Sequence, residues 1–352
     1  MDVENLVRRS LAGLEPQVYP STERGLLLMD ANTNLIGRNP AVDRAAQRLG
    51  SLDLQQYPSC LSDDLRAALA KEHGLSPDEI LVGNGSDEIL DVICKTFCNP
   101  GDLIAIPVPS FVMYAFFARI HLGSPVEAPL QRPEWQLDAD LLLRLRPKIL
   151  FVASPNNPTG NAFPKAVLER LIAESPGVVV VDEAYADFCG QDFASQVRRY
   201  ENLIVTRTFS KSHGLAGLRV GYGAGNRRLM AKMECAKTPL TLSSISEAIA
   251  LEALADKTFM KESVRVIQSE RVRLAERLRE LGFRPQKTDA NFLIADLGRP
   301  SSGARAFLRG RGIVTRDMSD FKGLENYLRV TVGRPEHNDR LVAELSRWKK
   351  AC

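Results

Sequence analysis

The stretch that decides the fold is Leu203-Ile204-Val205-Thr206-Arg207-Thr208-Phe209-Ser210-Lys211-Ser212-His213-Gly214-Leu215-Ala216-Gly217-Leu218-Arg219. Its first four residues are apolar and largely β-branched, which predicts a buried strand, and the glycines that follow predict a turn. That turn carries a serine, a lysine and, eight residues beyond the lysine, an arginine. A lysine among apolar and cationic neighbours is poorly solvated as an ammonium, so a neutral, nucleophilic amine is within reach and Lys211 is a candidate Schiff-base lysine. Ser210 and Arg219 add a hydroxyl donor and a planar cationic fork, both suited to a phosphate dianion. In an isolated surface loop the same residues would be a solvated Ser-Lys pair, so partners elsewhere in the chain must decide between the two.

Working outward, the strand-then-turn pattern recurs. Segments 80–82, 103–106, 149–153 and 178–181 are short apolar runs, 219–224 reads as a further strand, and helical patterns lie at 62–73, 89–97 and 112–120. Wholly apolar strands alternating with helices predict a mostly parallel sheet covered on both faces. In such sheets the ligand sits beyond the carboxyl ends of the strands. From about residue 240 the character changes: a long amphipathic helix at 264–281 is followed by short elements at 291–295, 304–309, 312–316 and 327–333. These predict a smaller α+β domain, joined by an N-terminal arm with an extended piece at 26–30. The expected division is a large domain at 45–240 and a small one made of 1–44 plus 241–352.

Composition narrows the function classes. With 352 residues, 44% of them hydrophobic, the chain can bury a large core. Lys+Arg 46 against Asp+Glu 43 leaves a net charge of +3, too small and dispersed to argue for nucleic acid or an anionic membrane. No signal-like start and no run of ~18 apolar residues occurs, so a cytoplasmic protein without membrane spans is expected. The six cysteines, at 60, 94, 98, 189, 235 and 352, lack CxxC spacing, and no metal site is expected.

Polar motifs stand at strand end after strand end. Gly83-Asn84-Gly85-Ser86-Asp87 fits an anion cradle, since glycines admit close backbone approach and the N–H groups of the next helix point at the ligand. Asp182 closes the apolar run Val178-Val179-Val180-Val181. A carboxylate there is either a helix N-cap or the partner of a cation, and a protonated pyridine nitrogen would be such a cation. Tyr185 and the amide of Asn157 in Ser154-Pro155-Asn156-Asn157-Pro158-Thr159-Gly160 reach the same ring's phenolic oxygen. Phe111 either stacks on its face or packs in the core. Together these groups read as a site for pyridoxal phosphate: Gly85, Ser86, Asp87, Ser210, Arg219 and Tyr57 on the phosphate, Asp182 on the pyridinium, Lys211 on the aldehyde.

In these segments, and in Asn291-Phe292-Leu293, 312–316 and Leu328-Arg329-Val330-Thr331-Val332-Gly333, the chain resembles the fold-type I pyridoxal-phosphate aminotransferases, most of all the histidinol-phosphate aminotransferase family. The resemblance implies a mostly parallel seven-stranded sheet sandwiched by helices and a smaller α+β domain. It implies a homodimer in which Tyr57 reaches the neighbour's cofactor phosphate. Arg316 and Arg329 match positions that bind the substrate's anionic group, with Asn32 and Tyr19 of the arm as further substrate-side candidates. The implied reaction moves an amino group from a donor, foremost histidinol phosphate, to a keto acid such as 2-oxoglutarate.

Departures from the family pattern fall on the substrate side. The usual Asn-Glu-Asn-Pro-aromatic segment is Asn32-Thr33-Asn34-Leu35-Ile36-Gly37, the Pro-Tyr-Asn segment is Pro239-Leu240-Thr241, and His213 stands where an aromatic residue is common. An aromatic or specialised amino acid is therefore an alternative donor. A lyase of phosphothreonine-decarboxylase type is an alternative reaction, because which bond breaks depends on an angle that sequence does not fix. A cofactor-binding regulator without activity is the alternative from another class.

Overall fold

The computed structural model describes residues 6–11 and 25–351, and the Tyr19 candidate lies outside them. The strands, in chain order, are β1 (Leu27–Leu28), β2 (Ile80–Asn84), β3 (Leu103–Val108), β4 (Ser124–Pro129), β5 (Ile149–Ala153), β6 (Val178–Asp182), β7 (Leu203–Thr208), β8 (Val220–Gly225), β9 (Arg284–Pro285), β10 (Phe292–Asp296), β11 (Ile313–Val314), β12 (Arg316–Asp317) and β13 (Tyr327–Thr331). A seven-stranded sheet runs in the order β2-β8-β7-β6-β5-β3-β4. Neighbours from β7 to β4 are parallel, whereas β8 is antiparallel to both β2 and β7.

The apolar runs are buried on both faces with a period of two. Leu150, Val152, Val179, Val181, Leu203 and Val205 face one core. Ile149, Phe151, Val178, Val180 and Ile204 face the other. Each side of the sheet therefore needs its own helical layer. Helices α1 (Ala41–Ala46) and α2 (Asp63–His73) contribute to the first core, and α3 (Ser86–Phe97) and α4 (Met113–Ile120) to the second. Strand β4 carries two prolines and only one buried residue, which is tolerated because it lies at the sheet edge. Its sequence shows no apolar run, so sequence reading passes over it.

A second sheet, β12-β13-β10-β9, is antiparallel throughout. The remaining helices are α5 (Ala139–Arg144), α6 (Lys165–Glu174), α7 (Arg227–Ala236), α8 (Ser244–Ala255), α9 (Thr258–Glu280), α10 (Ser301–Arg309) and α11 (Pro335–Ala351), of which α9, α10 and α11 cover this sheet. Their shared core holds Ile267, Leu274, Phe292, Leu308, Leu341 and Trp348. The arm joins this unit, β1 pairing in parallel with β11 and Leu35 bridging to Gly333. Helix α8 instead packs on α1 and α2, with Ile249, Ala250 and Ala253 in the first core of the large sheet. Among the described residues no helix is long and apolar enough to cross a membrane.

Candidate active site

Because β2 is parallel to β7, the carboxyl ends of β2, β3, β5, β6 and β7 share one edge of the sheet. The reversed β8 brings its first residues there: Asn84 pairs with Val220 and Thr208 with Gly221. Arg219, the residue before β8, thus joins a rim otherwise built from strand ends.

The first cluster of candidate residues forms around Gly85. Its φ of +81° is in the left-handed region, and a Cβ there would lie 2.5 Å from Arg219 Nη2. A side chain would displace the guanidinium, so glycine is required on two counts. Ser86 opens α3, whose first-turn N–H groups lack intrahelical partners. Arg219 Nη2 donates to Asp87 Oδ2 at 3.1 Å, which holds its fork over the helix start. Ser210, 7% exposed, receives the Thr208 hydroxyl at 3.0 Å and so keeps its own proton to give. Gly85, Ser86, Asp87, Ser210 and Arg219 are thereby brought together.

The second cluster centres on a buried carboxylate that has no cation beside it among the described residues. Asp182 is 6% exposed, accepts the Tyr114 hydroxyl at 2.6 Å and the Ala184 N–H at 3.0 Å, and makes no ion pair among the described residues. Burial pushes its acid strength down, raising the pKa above the usual carboxylate range against the lowering effect of Tyr114 and Ala184. Tyr114 was not foreseen: it lies in the apolar helix pattern of α4, where its ring stacks on Phe151 at 4.9 Å. Phe111, half-buried, meets Tyr114 edge-on at 5.6 Å.

Lys211 Nζ lies 5.6 Å from the centre of the Tyr185 ring and donates to Ala31 O at 3.0 Å. The Tyr185 hydroxyl accepts from Asn32 Nδ2 at 3.0 Å, and Asn291 Nδ2 donates to Asn32 O at 3.0 Å, so the arm reaches directly into the rim. In the 154–160 loop the two adjacent asparagines divide the work. Asn156, 1% exposed, fastens the loop to Ser110, Pro109 and Thr159. Asn157 instead accepts Arg329 Nη1 at 2.7 Å.

Arg329 complements Asp182 in sign. Among the described residues it bonds Asn157 and Asp30 O but no carboxylate, and its buried Nε has no partner there. Burial lowers its pKa, as does Arg316, while Tyr185 and Asp30 oppose this. Arg316 sits directly across the β12–β13 ladder from Arg329, with its own exposed ion pair to Asp320 at 2.6 Å. Two guanidinium groups side by side, one of them without an anion, make an anion-binding corner. Tyr57 stands apart, 85% exposed.

Fold and site together define the class: an α/β protein with a lysine, a glycine-lined helix start beside an arginine, and a buried acid at the carboxyl ends of parallel strands. The family model for aminotransferase class I and II matches residues 24–345. A histidinol-phosphate aminotransferase of Thermoanaerobacter pseudethanolicus is 37% identical over 348 residues, 97% of each chain. The crystal structure of the histidinol-phosphate aminotransferase from Sinorhizobium meliloti in complex with pyridoxal-5'-phosphate superposes with a TM-score of 0.85 at 26% identity, covering 92% of this chain and 91% of that one. An L-threonine-O-3-phosphate decarboxylase from Porphyromonas gingivalis shares the fold, with a TM-score of 0.82 at 22% identity over 92% of this chain and all of that one. The chain belongs to the aminotransferase class I and II family.

Proposed function

We propose that this chain is a pyridoxal-phosphate-dependent aminotransferase that takes the amino group of histidinol phosphate and passes it to 2-oxoglutarate. The observation that carries the reading is a pair of opposite charges at the same rim as Lys211, the buried Asp182 and the half-buried Arg329, neither of which has an ion-pair partner among the described residues. Asp182 fits the cofactor's pyridinium, the cradle of Gly85, Ser86, Asp87, Ser210 and Arg219 its phosphate, and Tyr185 and Asn157 its phenolic oxygen. When bound, that cofactor serves as an electron sink for charge developing at the substrate's Cα. Lys211 Nζ would hold the aldehyde and, as a free amine, would move the proton at the donor's Cα, a role typically worth ~10²–10⁴-fold in rate. Arg329, oriented by Asn157 and Asp30 and supported by Arg316, binds the substrate's phosphate and, in the second half-reaction, a carboxylate. A charged hydrogen bond to such a desolvated anion contributes roughly 1.5–3 kcal/mol.

The curated relatives named above support histidinol phosphate as the donor. The reading takes the enzyme to be a cytoplasmic homodimer in which Tyr57 reaches the neighbour's cofactor phosphate. Its exposure together with that of Leu54, three residues away, supports an interface at this turn. It also takes 45–240 as the bulk of the cofactor domain, although Ala41 of α1 and Leu242, Ile249, Ala250 and Ala253 at and in α8, outside those bounds, share its first core.

The test incubates cofactor-loaded enzyme with 2-oxoglutarate and, separately, histidinol phosphate, phenylalanine, tyrosine and arginine. Glutamate formed fastest from histidinol phosphate is the expected result. Turnover of phosphate-free donors alone would assign the arginines to a carboxylate and overturn the donor. Carbon dioxide release from phosphothreonine without glutamate would replace transfer by decarboxylation.

A further inference from the structure

Behind the catalytic turn lies a chain of buried and half-buried polar groups that the proposed chemistry does not use. Ser212, next to Lys211 and 1% exposed, touches Asp187 Oδ2 through its hydroxyl and lies 3.1 Å from His213 Nδ1. A hydroxyl has one proton to give. The Asp187 carboxylate takes it, so the Ser212 oxygen accepts from His213 Nδ1–H, and this hydrogen-bond network assigns the His213 tautomer. The neutral ring agrees with burial, which lowers the His213 pKa.

Asp187 belongs to the 3-10 turn Ala186–Phe188 that directly follows Tyr185. Its other oxygen lies 3.7 Å from Arg207, which bonds Glu183 at 2.7 Å and Asp192 at 3.1 Å. Glu183 is the neighbour of Asp182. One connected series, Glu183–Arg207–Asp187–Ser212, therefore runs from beside Asp182, past Tyr185, to beside Lys211. Packing alone does not hold the lysine turn, because a cavity of about 40 Å³ lined by Phe209, His213, Glu183, Asp187 and Arg207 lies behind it. That is room for an ordered water or for the turn to settle backwards.

We propose that Ser212 and Asp187 are positioning residues that fix Lys211 relative to Tyr185 and Asp182, an inference that rests on the role given to Lys211 above. The lysine stem is long and freely rotating, so where Nζ arrives depends on where the backbone at 211 is held. Removing either end of the Ser212–Asp187 bond frees the turn to move toward the cavity, and catalysis is sensitive to displacements on that scale.

The experiment compares wild type, Ser212→Ala, Asp187→Ala, the double variant and Ser212→Thr, which keeps the hydroxyl. Borohydride trapping with peptide mapping first locates the cofactor on Lys211 in the wild type; no adduct there overturns both the functional reading and this inference. With the adduct present, each Ala variant is expected to lose about tenfold in kcat with KM little changed. Both should shift the pH midpoint of the cofactor's visible absorbance and slow acylation of Lys211 by an amine-reactive reagent in the cofactor-free protein. The double variant should lose no more than either single one, and Ser212→Thr should restore most of the loss. Unchanged kcat, absorbance midpoint and acylation rate with only a lower Tm, or additive losses in the double variant, would assign the bond a purely structural role and overturn the inference while leaving the functional reading intact.

Discussion

Asp182 and Tyr114 show how a single buried hydrogen bond orients and partly compensates a carboxylate. The Tyr114 hydroxyl, fully buried, keeps the carboxylate oriented and part-compensated at 2.6 Å, and burial raises the pKa of both groups. In Asp182→Asn the one remaining oxygen can still accept from Ala184 N–H, the amide NH2 then faces the Tyr114 hydroxyl, which must turn to accept it, and the neutral side chain cannot neutralise a pyridinium. We expect kcat to fall by roughly 10²–10³-fold, as when a preorganised electrostatic group is removed, with Tm nearly unchanged or raised; steady-state kinetics and calorimetry check this. His73 gives a prediction of stability rather than rate. Desolvation, with Arg207 adding to it, lowers its pKa from 6.5 to about 4, and its Nε2 shares a 2.8 Å hydrogen bond with the Tyr222 hydroxyl. With the folded value below the unfolded one, the unfolded chain binds more protons between those limits, so stability falls as pH drops from 6.5 to about 4 and levels off below. The loss should be on the order of 3 kcal/mol. Chemical denaturation at several pH values should show that slope in the wild type and a flatter one in His73→Gln.

At the level of elements, the reversed strand β8 is what makes the phosphate cradle compact. Running against β2 and β7, it starts at the rim, and Gly221 lies so close to the helix start that a Cβ there would sit 2.2 Å from Ser86 N. Gly85 is the other half of that contact. The two glycines should fail differently. At Gly221 the obstacle is backbone, so Gly221→Ala forces the sheet and α3 apart and should cost several kcal/mol or leave the chain insoluble. Gly85→Ala meets the movable end of Arg219 but keeps a strained φ of +81°. It should cost roughly 1–3 kcal/mol and weaken cofactor retention more than Tm, as read by absorbance after dialysis. Sequence reading found the Gly-rich turn and the strand at 219–224. It did not find the reversal, because an apolar strand buried on both faces carries the same composition in either direction.

For the whole molecule, the arm and the two sheets meet at one place. Asn32 bonds Tyr185, and Arg329 from β13 bonds Asn157 from the large sheet, so the site exists only when all three parts are assembled. If Tyr57 acts across a homodimer interface, a mixture of Tyr57→Ala and Lys211→Ala chains, unfolded and refolded together, should show more activity than the sum of the two parents. Each mixed dimer then holds one complete pair of Lys211 and partner Tyr57. No gain over the parents would place Tyr57 outside the active site.

What the sequence determined by itself were the local features: apolar β-branched runs long enough only for strands, helices between them, and Lys211, Asp182, Gly85 and Arg219 in turns at their ends. Periodicity and turn chemistry act over a few residues, so they are readable from the chain. Only the tertiary structure decided which polar residues face each other. It gave Tyr114 rather than a cation to Asp182, joined Asn157 to Arg329, set Arg316 across from Arg329, and linked Ser212 to Asp187. Those pairings are decided by strand order, strand direction and register, and a one-residue change in any of them would turn the same side chains to the other face.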